Sequence, residues 1–216
     1  MIFRDRTDAG RRLAARLRSY ADRDDVVVLG LPRGGVAVAY EVAQQLNAPL
    51  DVFVVRKLGV PGHEELAMGA IASGGVLVLN DDVVRELCIS PETIEPVAAR
   101  EQQELARRED AYRNYRPSPE VRGRCVIVVD DGLATGASMH SAVEGLRKLE
   151  PAQIVVAVPV AARATVERFG QEVDSLVCLA TPEPFYGVGQ WYEDFHQLSD
   201  DQVRELLDQA YQRGRQ

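Results

Sequence analysis

A chain of 216 residues with 46% apolar and 27% charged side chains has the composition of an ordinary globular protein, long enough for one domain with a full core and short for two. Its formal charge of −8 repels nucleic acid and anionic membranes, and no run approaches the roughly 18 apolar residues that a membrane span needs. An anionic small molecule is not excluded, but it needs locally placed cations, helix N-termini or a metal ion.

In chain order, Thr7 is placed to cap a first helix whose apolar face is Leu13, Ala14, Leu17 and Tyr20. Val26 to Leu31 is apolar on both faces and predicts a buried strand, ending in Gly30-Leu-Pro-Arg-Gly-Gly35. Val38, Ala39, Val42, Ala43 and Leu46 follow at helical spacing, Asn47-Ala-Pro49 stops that helix, and Leu50 to Val55 is a second strand. This is a βαβ unit. From Arg56 to Ile71 the periodicity is lost, and three glycines and a proline predict a long mobile loop. Val76 to Leu79 is a short strand, and Ser90-Pro91 opens a helix to about Tyr112. That helix has no clear apolar face beyond Ala98, which predicts a solvated arm or an oligomer surface.

After Cys125, four β-branched residues, Val126 to Val129, form a strand, followed by Asp130, Asp131 and a turn of mostly small residues. A helix with Met139, Ala142, Val143, Leu146 and Leu149 on one face comes next. Ile154 to Val158 and Val173 to Leu179 are further buried strands, with a short helix between them. Thr181 to Phe195 is rich in aromatics and glycine, and Ser199-Asp-Asp-Gln202 is a capping box opening a last helix. Strands alternating with helices predict an α/β domain around a mainly parallel sheet, with ligands beyond the carboxyl ends of the strands. The three cysteines are widely spaced and read as buried thiols in a reducing compartment, with no metal-ligand spacing among them. The N-terminus shows no signal-peptide apolar region, so the expected location is cytoplasmic.

The chemistry concentrates at Asp130 and Asp131. Neighbouring strand residues face opposite ways, so both can serve one ligand only if the chain leaves the strand there, as Gly132 allows. Paired carboxylates suit sugar hydroxyls or a hydrated hard cation, or they simply cap a turn. Ala134-Thr-Gly-Ala-Ser138 lets successive backbone N–H groups converge at a helix N-terminus, with Thr135 and Ser138 adding hydroxyls. A phosphate fits that geometry. The Gly-Lys-Ser/Thr of a nucleoside-triphosphate loop is absent.

Val126-Ile-Val-Val-Asp-Asp-Gly-Leu-Ala-Thr-Gly-Ala-Ser138 resembles the phosphoribosyl-pyrophosphate (PRPP) signature of type I phosphoribosyltransferases. Gly30-Leu-Pro-Arg-Gly-Gly35 is similar to the pyrophosphate loop of that family. The resemblance implies a three-layer α/β/α fold with a small C-terminal hood: one domain over 1–216, a core of 24–180, a flexible loop at 56–75, a hood at 181–198 and a helix at 199–213. It assigns the ribose hydroxyls to Asp130 and Asp131, and the 5′-phosphate to Gly132, Ala134, Thr135, Gly136, Ala137 and Ser138. The pyrophosphate falls to Arg33, Gly34, Gly35 and Arg56, with a cis peptide expected at Pro32–Arg33. Lys57, ahead of Arg56, is the expected mobile cation for the departing pyrophosphate. His63, Glu64 and Glu65 read as a polar loop tip.

In the hood, Trp191 and Tyr192 either stack a base or pin the last helix to the sheet. Asp194 joins Asp130 and Asp131 as a candidate metal ligand. The implied activity is Mg²⁺-dependent phosphoribosyl transfer from PRPP to a nitrogenous, purine-like base in nucleotide salvage, by a homodimer that binds neither nucleic acid nor membrane. The alternatives are a non-catalytic PRPP or nucleotide-binding regulator and, third, a ribose-phosphate hydrolase. Val155 to Ala162 contains no lysine to read the exocyclic oxygen of a 6-oxopurine.

Overall fold

The computed structural model describes residues 2–114 and 116–214. A five-stranded, all-parallel sheet forms the centre in the order β2-β1-β6-β7-β8, from β1 (Val26–Gly30), β2 (Leu50–Val52), β6 (Cys125–Val129), β7 (Gln153–Val160) and β8 (Ser175–Ala180). Every residue of β1 and β6 is buried, as their uninterrupted β-branched runs require of strands covered on both faces. Alternation then sorts the side chains. Val26, Val28, Ile127 and Val129 pack with Leu13 of α1 (Arg6–Arg16), Leu17 at its C-cap, and Val38 and Val42 of α2 (Gly34–Leu46). Val27, Leu29, Val126 and Val128 meet Met139, Val143 and Leu146 of α5 (Ala137–Lys148) and Phe169 of α6 (Arg163–Glu172). The three-layer α/β/α expectation holds.

Three local expectations need correction. The cap of α1 is Asp5, whose side chain accepts from the Asp8 amide at 2.7 Å, and not Thr7, which lies inside the helix. The second strand is shorter than Leu50 to Val55: it leaves the central sheet after Val52, and a second sheet starts at Val55. Of the cysteines, Cys125 is buried and Cys178 partly so, but Cys88 is exposed.

The segment read as a loop over 56–71 is a β-hairpin. β3 (Val55–Val60) pairs antiparallel with β4 (His63–Ala72), and β4 pairs with β5 (Val76–Leu79) in a separate three-stranded sheet. Its glycines serve close approach as well as turning: a Cβ on Gly69 would lie 2.4 Å from the Val78 carbonyl oxygen, and one on Gly59 2.8 Å from that of Glu64. Only Gly62, at φ +80°, makes the turn. His63, Glu64 and Glu65 are exposed beside it, as a polar tip.

The long helix α4 (Pro91–Arg113) is not a solvated arm. Ile94, Val97, Glu101, Leu105 and Tyr112 form one buried stripe against the second sheet and α7 (Asp200–Arg213). The stripe is hard to see in the sequence because a carboxylate takes one of its turns: Glu101 is held there by Arg56, whose Nε donates at 2.9 Å, and by Arg100. α7 carries the expected capping box of Ser199 and Gln202. Because Leu105 is 2% exposed, Leu105→Ala should lower the unfolding free energy in urea by about 2–5 kcal/mol. A loss under about 0.5 kcal/mol would be the response of a solvated arm.

Candidate functional site

β1 and β6 run side by side in register, with Gly30 opposite Val129. The Leu31 amide extends their ladder to the Val129 carbonyl at 2.9 Å, so the loops leaving both strands emerge together. The first loop contains the expected cis peptide, Pro32–Arg33, and passes into α2 at Gly34. No side chain fits where it meets the second. A Cβ on Gly34 would lie 1.9 Å from Asp131 Oδ2, and one on Gly35 would lie 2.7 Å from the Val129 carbonyl oxygen and 2.9 Å from Asp130 Cα. Gly34 and Gly35 are therefore what lets bare backbone come up against the acid pair.

Asp130 turns its Oδ1 back to accept from the Asp131 amide at 2.8 Å. Asp131 Oδ2 accepts from Arg6 Nε at 2.8 Å, and its backbone carbonyl accepts from the Tyr192 hydroxyl at 2.5 Å. Burial raises the pKa of both carboxyls; the neighbouring Asp131 charge pushes Asp130 further, while Arg6 opposes the shift at Asp131. Two half-buried acids share one close cation, which leaves the pair short of positive charge.

The next turn leads directly into the N-terminus of α5. Gly136, at φ +72°, stands immediately before α5. The turn's carbonyls are tied away from the cleft: Thr165 Oγ1 donates to the Ala134 carbonyl at 2.6 Å, Arg168 Nη2 donates to that of Thr135 at 2.6 Å, and the Ala162 amide donates to that of Leu133 at 3.0 Å. A peptide whose carbonyl is held outward presents its N–H inward. Gly136 also lies against α6, where a Cβ would fall 2.6 Å from Phe169. The turn lines a cavity of about 220 Å³ bounded by Lys57, Asp130, Gly132 to Met139 and Val188.

Of the expected cations, only Lys57 lines that cavity. Arg56, next to it on β3, faces the other way and is bound to Glu101, so the pyrophosphate role expected of it is corrected by strand alternation. Arg33 leans toward α7, with Nη1 4.0 Å from Asp200. The hood follows the pinning alternative. Tyr192 is 6% exposed and lies between Phe3 and Phe195, with ring centroids 5.5 and 5.0 Å away, and its hydroxyl is spent on Asp131. Trp191 stacks on Phe185 at 6.4 Å. Tyr192 presents no free face for a base, which corrects that expectation for it, and Trp191, partly buried, does not line the cavity. Asp194 is paired with His196 and exposed, and among the described residues no group of three His, Cys, Asp or Glu side chains is placed to hold a metal ion. The three-carboxylate metal set is therefore not assembled.

The family model for the phosphoribosyl transferase domain matches residues 3–179. The chain belongs to that family. It is 50% identical over 210 residues, 97% of its length, to the protein named "Putative phosphoribosyl transferase Rv0571c" of Mycobacterium tuberculosis H37Rv, and equally to its counterpart in strain CDC 1551. It spans 47% of their length, about half of each. The crystal structure of TT1426 from Thermus thermophilus is similar with a TM-score of 0.84 and 44% identity, over 96% of this chain and 98% of that one. A Neisseria gonorrhoeae hypothetical protein, crystallised with bound ppGpp, shares the fold alone at 16% identity and a TM-score of 0.51, over 97% and 98% of the two chains.

Within this phosphoribosyl transferase fold, four residues at the cleft carried no signal in the sequence: Arg6, Thr165, Arg168 and Val188. Thr165 and Arg168 lie three apart on α6, a spacing that puts them on one helical face, but nothing local connects that face to the turn carbonyls 31 and 33 residues earlier. Thr165→Val keeps the shape and removes the tether of the Ala134 carbonyl. It should cost about 1 kcal/mol of stability and weaken inorganic phosphate binding severalfold in calorimetric titration. An unchanged phosphate affinity would show that the tether does not organise the anion turn.

Proposed function

We propose that this chain transfers the 5-phosphoribosyl group of PRPP to a nitrogenous base and releases pyrophosphate. The observation that carries the reading is the contact of Gly34 and Gly35 with Asp130 and Asp131, beside a turn that lines a cavity of about 220 Å³. A sugar carrying one phosphate at C5 and a diphosphate at C1 needs those three parts in that adjacency. The anion turn, Gly132 to Ser138, holds the 5′-phosphate at the α5 N-terminus. Asp130 and Asp131 accept hydrogen bonds from the ribose hydroxyls. The backbone of Gly34 and Gly35, with Arg33, takes the diphosphate.

In the reaction the bond from C1 to the diphosphate oxygen breaks, a bond from C1 to the base nitrogen forms, and the nitrogen gives up its proton. Positive charge develops on the ribose, so positioning and electrostatics supply most of the acceleration. Lys57, on β3 at the cavity wall, meets charge growing on the leaving oxygens. The donor set fits a hard divalent cation: the acid pair is short of countercharge, and carboxylate oxygens are the donors that such an ion takes. Asp130 and Asp131 are the residues that would hold Mg²⁺, directly or through the ribose hydroxyls, and its chemistry there is to neutralise the diphosphate. Asp194 is left out, being engaged with His196.

The acceptor is a base of purine-like size. β7 brings no lysine to address an exocyclic oxygen, which argues against an ordinary 6-oxopurine. Reuse of preformed bases, in the cytoplasm and by a homodimer, accompanies this reading as its expected setting. Isothermal titration should show PRPP binding that requires Mg²⁺ and is abolished by Asp130→Asn with Asp131→Asn. Pyrophosphate release across a panel of bases then reports turnover, with Lys57→Ala lowering kcat at least about tenfold. Binding without release for every base points instead to a regulator, and release from PRPP with no base present points to hydrolysis.

A further inference from the structure

Arg6 is the first residue of α1, where a cation opposes the positive end of the helix dipole. Its position is locally unfavourable, so the compensation lies in tertiary contacts, and such conflicts gather at functional sites. Three contacts hold it. Nε donates to Asp131 Oδ2 at 2.8 Å, Nη1 donates to the His196 carbonyl at 2.8 Å, and the guanidinium carbon lies 4.0 Å from the Phe195 ring centroid. The side chain is 11% exposed, and Nε also closes the space over Gly34, 2.8 Å from where a Cβ would stand. A planar fork fixed at two donors and one face has no rotational freedom left, and the carboxylate oxygen it grips has none either.

We propose that Arg6 is a positioning residue for the ribose: it sets which edge of Asp131 faces the sugar and ties that carboxylate to the hood. The proposal rests on the PRPP reading above. The hood link is continuous in the backbone as well, since the Phe3 amide donates to the Trp191 carbonyl and the Glu193 amide to that of Phe3, both at 2.8 Å. The N-terminal arm thus carries the hood on one side and, through Arg6, the ribose-binding acid on the other. A lysine at this position keeps the charge on Asp131 but cannot grip Asp131 and the His196 carbonyl in a fixed plane.

The test compares the wild-type chain with Arg6→Gln, Arg6→Lys and Arg12→Ala. Arg12 lies on the same helix, where it pairs with Asp8 at 2.8 Å and stacks on Phe3 at 5.4 Å without touching the acid pair. PRPP affinity with Mg²⁺ is read by calorimetry, thermal stability by scanning, and the KM for PRPP against kcat in turnover. Arg6→Gln should weaken PRPP binding at least about tenfold, with KM raised more than kcat is lowered. Arg6→Lys should recover part of that affinity, and Arg12→Ala should retain it even where its melting temperature falls. Arg6→Gln binding within threefold of a wild type that itself binds overturns the proposal, as does an equal loss in Arg12→Ala, which would mark a purely structural role. If Arg6→Gln fails to fold, the decision passes to Arg6→Lys, whose unaltered affinity and KM would overturn the fixed-plane requirement. No PRPP binding by the wild type overturns the donor reading and the role of Arg6 together.

Discussion

Two strand ends can serve one ligand only if the loops leaving them touch, and in this protein they touch with no side chain between. The 1.9 Å from a Gly34 Cβ to Asp131 is far inside any contact distance, so the loop after β1 can lie against the acid pair only as bare backbone. The parallel register of Gly30 with Val129 brings the loops to the same height. Around that contact the other parts fall into place: α6 holds the carbonyls of the anion turn outward, β3 supplies Lys57, and the N-terminal arm and hood close over Asp131 from the other side.

The charge balance of the site follows from the same construction. A chain of −8 cannot gather a phosphorylated ligand by its overall field. On the proposed reading the site works locally instead, with N–H groups, a helix terminus and very few cations. Arg56 is absorbed by Glu101, which leaves Lys57 at the cavity, Arg6 on the acid pair and Arg33 on the first loop, 4.0 Å from Asp200. Burial that raises the pKa of Asp130 and Asp131 has a use in this setting. A site short of positive charge is one that a cation arriving with its phosphates stabilises most.

How much of this could be read in advance depends on whether the signal is local. The buried strands, the acid pair and the small-residue turn each occupy a few consecutive residues and were legible, while the cis peptide was expected only through the family resemblance. The hairpin over β3 and β4 was not, because Gly59 and Gly69 read as turns when their reason is a neighbouring backbone 2.8 and 2.4 Å from a would-be Cβ. The inner face of α4 was hidden by Glu101, a carboxylate whose partner Arg56 lies 45 residues away. Arg6 was silent for the same reason taken further. Its partner Asp131 lies 125 residues on, and no periodicity reaches that far.

The hood shows what such long-range ties mean for acceptor choice. Tyr192 looks like a base-stacking ring in sequence, but its faces are taken by Phe3 and Phe195 and its hydroxyl by the Asp131 carbonyl. An aromatic fixed at every edge is structural. What the hood turns toward the cleft is Val188, so close to the chain that a Cβ on Gly132 would lie 2.5 Å from its methyl. An apolar wall discriminates by size, at roughly 10–200-fold per methylene, whereas a buried polar reader rejects a mismatched ligand by about 10⁴ or more. With no lysine on β7 and Tyr192 engaged on both faces, the proposed reading places the strong demands of this cleft on the phosphorylated sugar. A base in this cleft would meet a surface that measures its shape.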